Sequence, residues 1–298
     1  MVLYNGIKTQ LSPEFPEDLR ENNRREFLKR NFSIIVLDDD PTGTQTIYDV
    51  PVLTSWTEPE ILLELQNATP LFFILTNSRS LISAGAGKLA FEIGQNIQAA
   101  SQKTGRKTIV ISRGDSTLRG HYPNEVDALG EGLRIQHAPQ ILIPAFFEGG
   151  RHTINDIHYV REGNELIPAG ETPFAQDSTF GYRSSDLKDY VEEKSKGRIK
   201  SDEAVSISLD NIRKGGPGKV AEILDSLQEK QVCIVNAFSQ PDLDVFTAGF
   251  YQSDRITKPV LFRTAASVVP SLAGLPVKPP LQKKDFKLTG KGGVVAVG

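Results

Sequence analysis

The sequence predicts an α/β fold: a mostly parallel sheet with helices on both faces, Rossmann-like and three-layered, with a small β-hairpin insertion. Three observations carry this expectation. Short apolar, β-branched runs alternate with longer helix-forming stretches along the chain. Five of these runs lead into polar loop residues, which a parallel sheet would gather at one edge. The section Asn155–Pro168 departs from the pattern and reads as two short strands around Glu162-Gly163-Asn164.

In chain order, the expected strands are Ile34–Leu37, Val50–Thr54, Leu71–Thr76, Thr108–Ser112, Gln140–Pro144, Ala204–Ser208 and Val232–Asn236. Each is a short apolar run bounded by polar or turn-forming residues. The expected helices are Pro16–Arg30, Glu58–Asn67, Ala84–Thr104, Asn124–Arg134, Ser185–Lys194, Lys219–Lys230 and Asp242–Gln252. Gly85-Ala86-Gly87-Lys88-Leu89 lacks the spacing and terminal Ser/Thr of a phosphate-binding loop and is expected to open an ordinary helix. Gly215–Lys219 reads as a loop before a helix. Residues 275–289 have linker composition, proline-stiffened and charged. Residues 290–298 read as a glycine turn and the first strand of a second domain, leaving 1–274 as the first.

The composition, 39% hydrophobic and 24% charged over 298 residues, is that of a globular protein. A net charge of −3 argues against a nucleic-acid partner, which calls for a basic excess, but local arginines still allow a small anionic ligand. Cys233 is the only cysteine, so no intrachain disulfide and no cysteine-based metal site is expected; its apolar setting reads as a buried strand. His121, His137, His152 and His158 are scattered without zinc spacing, and no structural metal is expected. No apolar stretch reaches membrane-spanning length and the N-terminus lacks the apolar core of a signal peptide, so the expectation is a cytoplasmic protein with no membrane partner.

The chemistry concentrates at Ser33–Thr44, where an apolar strand runs into Asp38-Asp39-Asp40-Pro41-Thr42-Gly43. Ligands of open α/β sheets bind at such strand ends. Three adjacent carboxylates repel one another and need a cation, hydrogen-bond donors or solvent. Four further strand ends add Thr76–Ser80, Ser112–His121, Pro144–Arg151 and Arg263–Ser267. The pooled carboxylates, hydroxyls and arginines suit a small polyhydroxy carboxylate, with Arg forks on the carboxylate and Asp, Ser and Thr on the hydroxyls. Competing readings are an Asp-rich turn, with Asp115 as a helix N-cap ahead of Leu118–Glu125, and a haloacid-dehalogenase-type phosphatase using Asp38 and Asp40. The phosphatase reading lacks its second acidic-motif carboxylate, since Leu118 and Arg119 stand where it is required. A binding-only module is a third reading.

Together the motifs resemble the four-carbon acid sugar kinase family. Asp39-Asp40-Pro41-Thr42-Gly43, Thr76-Asn77-Ser78-Arg79, Asp115-Ser116-Thr117-Leu118-Arg119-Gly120, and Pro144-Ala145-Phe146 with Gly150-Arg151 follow the family's order and rough spacing. Asp156 stands where the family often has glycine. The resemblance implies an N-terminal substrate-binding lobe, with ATP and Mg²⁺ held by a C-terminal lobe and no cofactor contacts in this chain. It implies phosphorylation of a tetronate such as threonate, erythronate or 3-oxo-tetronate at its terminal hydroxyl, with a homodimer allowed. Asp39 or Asp40 would orient the reacting hydroxyl, with Asp115 as rival base. Arg79 and Arg119 would take the substrate carboxylate, Ser78 and Ser116 its hydroxyls, Thr42 and Gly43 would line the substrate, and Arg151 and Arg263 would lie nearer the transferred phosphoryl.

Overall fold

The computed structural model describes residues 2–44 and 46–276. The strands are β1 (Val2–Leu3), β2 (Ser33–Asp38), β3 (Val52–Leu53), β4 (Leu71–Leu75), β5 (Thr108–Arg113), β6 (Gln140–Ile143), β7 (Arg151–Ile154), β8 (Ile157–Glu162), β9 (Glu165–Pro168), β10 (Val205–Ile207), β11 (Val232–Val235) and β12 (Leu261–Thr264). The helices are α1 (Tyr4–Gln10), α2 (Arg20–Arg30), α3 (Glu58–Gln66), α4 (Ser83–Thr104), α5 (Asn124–Gly132), α6 (Leu187–Lys194), α7 (Leu209–Arg213), α8 (Gly216–Ser226), α9 (Gln240–Gln252) and α10 (Val268–Leu272).

Eight strands form one all-parallel sheet in the order β10-β11-β6-β12-β5-β2-β4-β3. Alternate residues of β2 feed the two sides. Ile34 and Val36 join the core under α2, α8 and α9, while Ile35 and Leu37 join the core under α3, α4 and α5. Burial on both faces explains why β2 reads as an unbroken apolar run. From β2 the chain goes to β4 on one side, then crosses through α4 to β5 on the other. That reversal is a topological switch point, and the crevice outside β4, β2 and β5 opens there.

The expected α/β architecture is present. The hairpin expected at Asn155–Pro168 forms half of a separate antiparallel sheet, β1-β9-β8-β7. Sequence reading missed β1, β7 and the short helices α1, α7 and α10, which are too brief for periodicity to register. The turn from β7 to β8 runs through Asn155 (φ 51°) and Asp156 (φ 65°). Both residues therefore hold left-handed backbone positions of the kind that favour glycine or asparagine. The helix expected from Pro16 begins at Arg20, where Asp18 accepts the Arg20 amide. The helix expected to run to Lys230 ends at Ser226, and it starts at Gly216, inside the run expected as a loop. Helix α4 opens at Ser83 and contains Gly85 and Gly87 as an ordinary helix. Cys233 is buried in β11. Of the expected linker and final strand, residues 277–298 lie outside the described residues.

Helices α4 and α5 touch through glycines. A Cβ on Gly132 would meet the Phe91 carbonyl oxygen at 2.3 Å and Gly94 Cα at 3.0 Å. Gly132→Ala is therefore expected to destabilise by about 1–3 kcal/mol through overpacking, despite alanine's higher helix propensity. Gly218, in α8, has open space around its Cβ position. Gly218→Ala is expected to stabilise by about 0.5–1 kcal/mol. Urea midpoints at constant m-value measure both, and equal signs would refute the close-approach argument.

Candidate active site

The site is built on the end of β2. Register places Asp38 directly opposite Arg113 of β5, and Arg113 Nη1 donates to Asp38 Oδ1 at 2.9 Å. Asp39 and Asp40 are held from the β4 side by Arg79. Its Nη2 and Nε donate to the two oxygens of Asp39 at 2.6 and 3.2 Å, and its Nη1 donates to Asp40 Oδ2 at 2.6 Å. The backbone reinforces this pairing. Thr76 N donates to Asp38 O at 2.9 Å and Arg79 N to Asp39 O at 3.2 Å. Asp40 turns the loop by accepting from the Thr42 amide and hydroxyl. Gly43 lies directly on Asp38: a Cβ at 43 would sit 1.2 Å from Asp38 Oδ2, so a side chain there and this Asp38 placement exclude each other.

The loop after β5 brings Asp115, which accepts from Arg119 Nε at 2.7 Å and from the Thr117 hydroxyl. No helix begins at Leu118; α5 starts at Asn124. The N-cap reading of Asp115 is thus corrected, because Leu118 (φ 67°) and Gly120 (φ 125°) take the chain out of helical geometry. Three buried groups pin this loop: His158 Nε2 to Ser116 O at 2.8 Å, Tyr182 OH to Thr117 O at 2.7 Å, and Tyr190 OH to Leu118 O at 2.9 Å. Burial pushes His158 down to about 4, so at neutral pH its ring is uncharged. Nε2–H then donates to Ser116, and Nδ1 accepts from Thr153 Oγ1 at 3.0 Å.

The other sequence-selected residues fall around the same crevice. Ser78 is buried and its hydroxyl donates to Glu125. Ser116 is half-buried, and its hydroxyl takes no partner among the described residues. Arg263 is a β12 strand residue, buried, donating to Ser112 Oγ at 3.0 Å. Arg119 and Arg151 both stand over the Phe174 ring, at 5.0 and 5.7 Å from its centroid. Arg79, Arg113, Arg119 and Arg263 each have a carboxylate within ion-pair distance. Arg151 has none among the described residues; it donates to Gly149 O, and its Nε is buried without a partner. Sequence reasoning did not select Arg113, Glu125, Phe174, His158, Tyr182 or Tyr190. Arg113 was detectable as the cation at the end of the strand beside β2; the others act through long-range contacts that carry no local signal.

The four aspartates differ. Burial pushes Asp38 up to about 6, only partly offset by Arg113. Burial also raises Asp39, against the pull of Arg263 and Arg79. For Asp40 burial acts upward, but hydrogen bonds from Thr42 and the charge of Arg79 outweigh it and lower its pKa. Asp115 is likewise lowered, with Arg119 and Thr117 outweighing burial. These carboxylates are committed to arginines and hydroxyls, and among the described residues no group of three or more His, Cys, Asp or Glu side chains is arranged to hold a metal ion. Asp38 does not suit a phosphatase nucleophile: its Oδ1 accepts from Arg113 and its Oδ2 lies under Gly43. A groove of ≈ 620 Å³ lies elsewhere, at the opposite edge of the sheet where β6, β11 and β12 begin. Its facing charges include the Arg198–Asp127 ion pair, and none of the strand-end motifs reaches it.

Asp38 makes stability depend on pH. Its folded pKa lies above the ordinary carboxylate value, so the folded state binds the extra proton and this contribution fades as pH rises from about 4 through 6. Relative to Asp38→Asn, the natural protein is expected to lose up to about 3 kcal/mol of stability over that range. Denaturant titrations of both proteins between pH 4 and 7 measure the difference, and a flat difference would remove Asp38 as its source.

A family described as the sugar-binding N-terminal domain matches residues 34–272. Among solved structures, the chain is similar to a Bordetella bronchiseptica protein with a domain of unknown function (DUF1537), seen with bound citrate as a domain-swapped dimer. The identity is 19% and the TM-score 0.60, covering 80% of this chain and 55% of that one. A Haemophilus influenzae protein assigned to DUF1537 matches at 17% identity and TM-score 0.58, with 80% and 55% coverage. The chain thus spans about 55% of the length of these solved relatives. No curated protein matches. No helix among the described residues is long and apolar enough to cross a membrane. With the match running from β2 through α10, across every strand end that forms the crevice, the chain belongs to the sugar-binding N-terminal domain family.

Proposed function

We propose that this domain binds a four-carbon acid sugar, a tetronate such as threonate, erythronate or 3-oxo-tetronate, and presents its terminal hydroxyl for phosphorylation by a complete, ATP-dependent kinase. The observation that carries the reading is Arg151. It is a half-buried guanidinium without a carboxylate partner among the described residues, stacked on Phe174 beside Arg119, at the rim of a crevice lined by carboxylates and hydroxyls. A ligand with one carboxylate and several hydroxyls matches that inventory. The citrate held by the Bordetella relative, a hydroxy acid, supports the ligand class, and that relative's dimer supports a homodimer here.

In this reading Arg151, helped by Arg119, takes the ligand's anionic end. Ser116 offers a free hydroxyl, and Asp115 and Asp40 accept from ligand hydroxyls at the accessible rim. Asp39 is the group suited to hold the reacting proton. Burial raises its pKa against the pull of Arg263 and Arg79, and Arg79 fixes its orientation. In this reading ATP and Mg²⁺ are held by a nucleotide-binding lobe of the complete kinase, and no step is derived through them.

Calorimetric titration with D-threonate, D-erythronate and L-threonate tests the reading. One acid is expected to bind, and Arg151→Gln is expected to weaken it by about tenfold or more, as loss of a charge-assisted contact does. Silence from all three acids on a folded chain would overturn it. In the complete enzyme, Asp39→Asn is expected to lower turnover by about a hundredfold or more while the fold survives, because Arg79 keeps Asp40 as partner. Near-normal turnover would remove Asp39 from the chemistry.

A further inference from the structure

Glu125, at the head of α5, is buried and has entered the site so far only as the partner of Ser78. Its Oε1 accepts from the Ser78 hydroxyl. Its Oε2 has no hydrogen-bond partner and faces Arg263 Nη1 at 3.6 Å. The same guanidinium lies over two glycines. A Cβ on Gly114 would fall 2.1 Å from Arg263 Nη2, and one on Gly120 would fall 2.9 Å from it. The Gly120 Cβ would also stand 3.4 Å from Asp39 Oδ2. Arg263 thus reaches the neighbourhood of Asp39 through a slot that only glycines leave open.

We infer that Glu125 is a positioning residue of this site. One oxygen holds the Arg263 cation over the Gly114–Gly120 slot beside Asp39, and the other turns the Ser78 hydroxyl away from the crevice. The inference rests on the sugar-acid reading above in that it makes Asp39 the group that meets the ligand. Two cations, the half-buried Arg79 and the buried Arg263, then act on Asp39 from different elements. Glu125 sets the position of the second by charge, since 3.6 Å is beyond a hydrogen bond and within ion-pair reach. Removing that charge leaves a buried guanidinium without its counter-ion, free to turn toward Asp39. The placement of α5 that makes this possible depends on the glycine contact between α4 and α5.

The test separates charge from shape. Glu125→Gln keeps the side-chain length and can still accept from Ser78, but loses the charge. Glu125→Asp keeps the charge on a shorter arm. Titrated with whichever tetronate the natural chain binds, the Gln variant is expected to bind about tenfold more weakly or worse, and the Asp variant to lie closer to the natural chain. Natural affinity in both variants, or tighter binding by Gln than by Asp, overturns the inference. If the natural chain binds none of the three acids, the sugar-acid reading fails by itself. The Glu125–Arg263 pairing is then judged without ligand, by thermal unfolding of Glu125→Gln, Arg263→Gln and the double variant. A double variant more stable than additivity predicts supports the pairing, and additive shifts in Tm overturn it.

Discussion

The structure depends on how three consecutive aspartates are neutralised at the end of one strand. Asp38, Asp39 and Asp40 leave β2 together, and two arginines from its two neighbours meet them. Arg113 comes from β5 and Arg79 from the turn after β4. Buried charges without partners cost several kcal/mol, so this arrangement ties three strand ends into one unit. It also makes strand register a matter of charge as well as packing. Asp38 pairs with Arg113 because the two share a register position, and slipping β2 by one residue would break the pair and turn its side chains to the wrong face.

Neutralisation is uneven, which gives adjacent residues of one type different chemistry. Asp38 is sealed by Gly43 and held by one arginine, so burial dominates and its carboxyl sits high. Asp40 is at the rim with donors from Thr42 and Arg79, so it stays ionised. Asp39 lies between them, buried like Asp38 and gripped by a bidentate fork. Around them, neutral His158 and two buried tyrosines hold the Gly114–Gly120 loop without adding charge. The loop's geometry is thereby set by hydrogen bonds, and its charges are left to face the crevice.

Much of the fold was legible in the sequence, as was the gathering of polar strand ends at one edge of the sheet. Apolar runs such as Ile34–Leu37 and Ile141–Ile143 stand out because both sheet faces are covered, and their polar sequels mark one edge of a parallel sheet. The partners within the site were not legible. Nothing local links Glu125 to Ser78, 47 positions away, or Arg263 to Ser112, 151 positions away. Phe174 gives no local sign that it stacks under two arginines from other loops. The N-cap reading of Asp115 failed for a related reason. The acid was recognisable, but the left-handed Leu118 that stops a helix from starting there is imposed by tertiary contacts.

Charge balance constrains how any ligand can enter. Five guanidiniums, of Arg79, Arg113, Arg119, Arg151 and Arg263, face five carboxylates, of Asp38, Asp39, Asp40, Asp115 and Glu125, with Asp177 at the rim. An incoming anion therefore meets arginines that are already paired, except, among the described residues, Arg151. Arg113 and Arg263 are too buried to turn outward, and Arg79 would have to abandon two carboxylates. Arg119 differs: it pairs with Asp115 at 2.7 Å and lies 3.9 Å from Asp177, so it can loosen one partner while keeping another. In the sugar-acid reading, a ligand carboxylate that recruits Arg119 toward Arg151 would free Asp115 to accept a ligand hydroxyl. Anion binding and hydroxyl recognition would then be one exchange of partners, and a ligand carrying only one of the two groups could not complete it.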